Sequence, residues 1–143
     1  MEPLIALVAG FLAARLAGLA GVDMLDGWHP ALQVGLAAMF LLTAFAHFFP
    51  RLRTGLVAMV PPGLPRPELL VTLTGLLELA AAVLVLVPAT TRWAAGSLIL
   101  MMIAMFPANV SAARRRLPGA TALGPRTALQ VLFVAAATLT FAG

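Results

Sequence analysis

Five apolar runs divide the chain, and their lengths restrict what it can fold into. They fall at about 4–20, 31–49, 69–87, 93–113 and 128–142. A helix that crosses hydrocarbon needs about 20 predominantly apolar residues, with a range of about 17–25. The middle three runs meet that length, the first is marginal and the last is short. All are rich in Ala and Leu, which favours helix, and none alternates as a barrel strand would. Composition agrees: 62% of residues are hydrophobic and 10% charged, against about a quarter charged in a soluble domain. The expected fold is all-α, a polytopic membrane helical bundle with a four-helix core plus one additional N-terminal span. It forms a single integral membrane domain over residues 1–143. The first run has an alternative reading as a cleaved signal peptide. It lacks a basic n-region, however, and Arg15 interrupts its apolar part, so a retained span is preferred.

Charge then orients the bundle. All nine cations are Arg, and the net charge is +4. All but Arg15 lie between apolar runs rather than over a soluble face, which argues against nucleic acid as a partner and for the lipid bilayer. The second and fourth connections hold seven Arg (51, 53, 66, 114, 115, 116 and 126), whereas the first and third hold only Arg92. The positive-inside rule places the N-terminus and those two Arg-rich connections in the cytoplasm, and the C-terminus outside. Trp28 and Trp93 then fall at the outer interface as aromatic anchors, and His29 is expected in solvated loop. Arg114–Arg116 are expected to set topology and touch anionic headgroups.

The second connection, "PRLRTGLVAMVPPGLPRPE", is more than a simple loop. Residues 51–60 are expected to form a short interfacial helix with Leu52, Leu56 and Met59 toward lipid. The prolines of "PPGLPRP" then stop it.

Whole chemistries are absent from the sequence. With no cysteine there is no disulfide, thiolate metal site or Cys-ligated iron–sulfur cluster. His29 and His47 are assigned to opposite sides of the membrane, so no metal site is expected. No HExxH, CxxC, GxGxxG or Walker A pattern occurs.

Five stretches in order, "AHFFP", "MVPPGLPRP", "LTGLLELAAAVLVLVPATTRWAA", "FPANVSAA" and "RTALQ", resemble the DoxX-like family of small bacterial integral membrane proteins. They span residues 46–130, about three fifths of the chain, and the first run lies outside them. The resemblance implies a compact bundle in the bacterial cytoplasmic (inner) membrane. It also implies a link to membrane redox or oxidative-stress complexes: an oxidoreductase partner subunit, with a quinone as the cofactor contacted. It supplies no catalytic residues, and whether the chain is an enzyme stays open. The positions that match are His47, Pro61, Pro62, Gly75, Glu78, Arg92, Pro107, Asn109 and Gln130.

The polar residues inside the spans are the candidate sites, because intramembrane charge is costly and needs a partner or a wet cavity. Glu78 lies about 13–14 Å from the start of its run, and Arg15 about 16–17 Å from the same side. A structural ion pair between Arg15 and Glu78 is one expectation. The other is a protonated Glu78 that binds a small ligand or passes a proton, with Thr74 one turn before it on the same face. His47 ends the second run near the cytoplasm, with Thr43 a turn earlier. Pro107 is expected to kink the fourth span, with Asn109 just beyond it. Met101, Met105 and Asn109 follow one stripe, read as adaptable packing. Gln130 starts the last run. His47, Asn109, Gln130 and the proline loop thus converge on the cytoplasmic half, which suggests a cavity with Glu78 at its floor. Three functions compete: a membrane subunit or quinone-interacting component of a redox complex, a small-molecule- or lipid-binding protein or small transporter built as a homo-oligomer, and a purely structural or assembly factor.

Overall fold

The computed structural model describes residues 2–117 and 122–143. The described chain is an all-α bundle of six helices: α1 (Glu2–Leu19), α2 (Trp28–Phe48), α3 (Pro50–Met59), α4 (Pro67–Leu84), α5 (Thr91–Arg114) and α6 (Leu123–Ala142). A single 3-10 turn, Asp23–Leu25, links α1 to α2. Four helices, α2, α4, α5 and α6, are long and apolar enough to cross a membrane, and the apolar part of α1, Pro3–Leu19, is shorter.

Proline sets several boundaries. Pro50 opens α3 directly after α2, so that Phe49 closes one helix and caps the next. Pro67 opens α4 after a left-handed Arg66. A proline at the first helical position gives up an N–H that would have no partner anyway. The tight α4–α5 turn is satisfied differently. Thr90 Oγ1 donates to the Leu84 carbonyl at 2.8 Å and Thr91 Oγ1 to the Val85 carbonyl at 3.0 Å. These bonds supply partners for carbonyls that the end of α4 leaves free.

α2 is the hub. It packs against α1, α4 and α6, while α5 pairs with α6 and touches α4. The shared core contains Leu36, Met39 and Phe40 from α2, Ala81 and Ala82 from α4, Leu98 and Met102 from α5, and Phe133 and Ala137 from α6. Small residues allow close approach, as helix pairs in lipid require. A Cβ at Gly35 would lie 2.7 Å from the Leu7 carbonyl oxygen, so α1 and α2 cross backbone to backbone there. The opposite faces are apolar too. Ile5, Leu16, Phe45, Leu77, Leu100 and Val131 are all exposed. Apolar surface on every long helix far exceeds the patches a water-soluble monomer carries and suits a lipid surround.

The short helix expected over residues 51–60 is present as α3, but of the three side chains expected toward lipid only one is fully exposed. Leu52 faces outward, and Leu56 and Met59 are half-buried. α5 remains helical through Pro107 to Arg114. Pro107 withholds the donor that the Ile103 carbonyl would otherwise receive.

Candidate functional site: a buried His–Glu pair

Glu78 lies on the inner face of α4 with Val71, Gly75, Ala81 and Ala82. His47, in the last turn of α2, faces it. The residues are 3% and 4% exposed, and His47 Nδ1 is 3.4 Å from Glu78 Oε2. Gly75 makes this possible. A Cβ there would sit 2.7 Å from His47 Cβ and 2.9 Å from the Phe48 ring, so only glycine lets α2 and α4 close over the pair.

The hydrogen bonding is incomplete. His47 Nδ1 donates to the Thr43 carbonyl at 2.7 Å, one turn back along α2. A carbonyl only accepts, so Nδ1 carries its hydrogen and that hydrogen is committed. Glu78 Oε2 is left buried with no hydrogen-bond partner among the described residues. The Thr43 hydroxyl is near the carboxyl and donates to the Phe40 carbonyl at 3.1 Å. The site therefore joins an imidazole and a carboxyl with one unfilled acceptor, in an apolar setting where such a vacancy is costly.

Arg53 roofs the pair from α3. Its Nη1 donates to the His47 carbonyl at 2.9 Å. Its Nη2 donates to the Glu68 carbonyl at 2.9 Å and to Thr72 Oγ1 at 2.8 Å. One guanidinium thus ties the end of α2, the interfacial helix and the start of α4. Sequence reasoning counted Arg53 only as a topology charge; its spacing of six from His47 and fifteen from Glu68 has no local periodicity to reveal it.

The expected Arg15–Glu78 ion pair does not form. Arg15 Nη1 lies 3.7 Å from Asp26 Oδ1 instead. The equal-depth estimate counted each residue from the start of its own run, but the helices do not start at one level. α1 crosses α2 where Gly10 meets Gly35. From that crossing Arg15 runs toward the first connection and His47 runs the opposite way. They are separated by about 17 helical rises, roughly 25 Å along the axis.

The other expected site residues are dispersed. Thr74 is half-buried, and its hydroxyl donates to the Leu70 and Val71 carbonyls at 3.0 and 3.1 Å, turned to its own helix. Asn109 is buried on the inner face of α5. Gln130 Nε2 donates to the Met102 carbonyl at 2.7 Å, a tie between α6 and α5. His29 is not in solvated loop; its Nε2 bonds the Thr140 carbonyl oxygen at 3.0 Å. Gln33, unremarked in the sequence, donates to the Val85 carbonyl and to Thr91 Oγ1, both at 2.9 Å. The polar residues at that end are consumed in packing, unlike the His47–Glu78 pair. Among the described residues, no group of three His, Asp or Glu side chains could hold a metal ion.

The chain belongs to the family described as Domain of unknown function (DUF8561), whose model matches residues 36–140. The match takes in both His47 and Glu78 and leaves out α1. No curated protein and no solved structure matches the chain.

Proposed function

We propose that this protein is a membrane component of a redox complex and that His47 and Glu78 form its proton-exchanging contact for a quinone-like carbonyl or hydroxyl ligand. The observation that carries the reading is the buried Glu78 Oε2 without a partner, 3.4 Å from His47 Nδ1. When the carboxyl holds the proton, it donates to a ligand carbonyl; when it does not, it accepts from a ligand hydroxyl. A bound quinone would supply the two-electron chemistry. His47 and Glu78 orient the ligand and hold or release the proton, while the apolar walls exclude water. The resemblance to DoxX-like proteins supports the same reading and suggests an oxidoreductase partner subunit.

The Arg-rich end gives the orientation we propose. Arg51 and Arg53 on α3, Arg66, and Arg114–Arg116 after α5 face the bacterial cytoplasm, with the N-terminus inside and the C-terminus outside. In that orientation the buried pair lies beneath α3, in the cytoplasmic half of the bundle.

Purification in native lipid, with extraction of bound small molecules and identification of copurifying proteins, tests the function. Wild-type protein should retain quinone. Glu78→Leu, which removes both donor and acceptor at similar volume, should lose most of it while keeping its helical content and oligomeric size. Quinone absent from wild type, or retained equally by both proteins, would sink the reading.

A further inference from the structure

A second feature lies on the outer face of the α5–α6 pair. At the end of α5, a shallow groove is lined by Phe106, Pro107, Val110, Ser111, Arg114 and Arg115. A second groove, almost wholly apolar, continues from Phe106 over Ile103, Val131 and Val134. Phe106 lines both, so together they form one track with two arginines at one end and only apolar side chains at the other, apart from Gln130.

We infer that this track holds one anionic phospholipid, its phosphate between Arg114 and Arg115 and an acyl chain along Phe106, Ile103 and Val131. The length fits. From Arg114 to Ile103 is eleven residues, about 16–17 Å of helix, and one leaflet of hydrocarbon is about half of a 30 Å core, or roughly 15 Å. The charge fits as well. Arg115 is held in place, with Nε donating to Ser111 Oγ at 3.1 Å and Nη2 to the Met59 and Val60 carbonyls at 3.1 and 3.4 Å. Its Nη1 has no partner among the described residues and keeps two donors for a phosphate oxygen. Arg114 is exposed beside it and, among the described residues, donates to no protein group. A zwitterionic headgroup would bring its own cation to two guanidinium groups, so an anionic one is selected. The site is separate from the His47–Glu78 pair and does not depend on its function.

Native mass spectrometry of the full chain with equimolar phosphatidylglycerol and phosphatidylcholine tests this. Wild type should keep the anionic lipid in preference. Arg114→Gln should cut that retention about fivefold, the value of one arginine at an anionic surface. Val131→Trp, which fills the apolar end without touching charge, should also lower it. Glycerol phosphate, the headgroup without chains, should not displace the lipid. Equal retention of the two lipids overturns the proposal, as does retention unchanged in Arg114→Gln or displacement by glycerol phosphate. Should Arg114→Gln fail to fold, the wild-type preference and Val131→Trp still decide it.

Discussion

Gly75 controls the buried pair without any chemistry of its own. The space for its missing Cβ is already filled by His47 and Phe48, so any side chain must push α2 from α4. Overpacking of this kind costs about 1–3 kcal/mol. Gly75→Ala should therefore lower the melting temperature in mild detergent, and Gly75→Val should lower it further. Melting at the wild-type temperature for both would show that the helices are not in register at this point. Glu78 was visible in the sequence as an acid inside an apolar run, and His47 as a histidine at a run's end. Their pairing was not visible, because 31 positions separate them and no periodicity links one helix to another. The rejected partner, Arg15, shows the same limit: distance along a run is not depth in a bundle whose helices start at different levels.

Among the elements, α3 depends most on a single residue. It is the shortest α-helix described, with ten residues, and an isolated helix of that length is marginal in water. Arg53 fastens it through three hydrogen bonds to α2 and α4. Arg53→Ala should raise amide hydrogen exchange across residues 50–59 by an order of magnitude or more, since bonds to charged donors each contribute about 1.5–3 kcal/mol. The buried stretches of α2 and α4 should stay protected. Arg53→Lys should not restore protection, because an ammonium lacks the planar fork that reaches separated acceptors. Uniform loss of protection throughout the bundle would mean that Arg53 supports the whole fold rather than α3 alone. The amphipathic pattern and the prolines made this helix legible in the sequence. Its docking was not legible, since the acceptors are mostly backbone carbonyls and any sequence supplies those.

For the whole molecule, orientation is the property open to direct test. The chain has no cysteine, so single substitutions report without background. Thr54→Cys on α3 and Asp23→Cys in the first connection lie on opposite sides in the proposed topology. In intact cells an impermeant maleimide should label Asp23→Cys, and it should reach Thr54→Cys only after lysis. The reverse pattern would invert the protein and place the His47–Glu78 pair toward the outside.

Local physics alone determined that this chain is helical and apolar on its surface. Runs near membrane length, Ala and Leu throughout, and prolines at the breaks dictate helices and their approximate ends, because propensity and hydrophobic burial act residue by residue. Arginine counts in the connections supply the basis of the proposed orientation. Which polar groups meet was decided only by the tertiary structure. The Gly10–Gly35 crossing sets the level of α1, Gly75 brings His47 to Glu78, and Gln130, Gln33 and His29 are spent on carbonyls of neighbouring helices. Hydrogen bonds and ion pairs act over a few ångströms, so side-chain partners depend on helix crossings and offsets that a one-dimensional pattern does not contain.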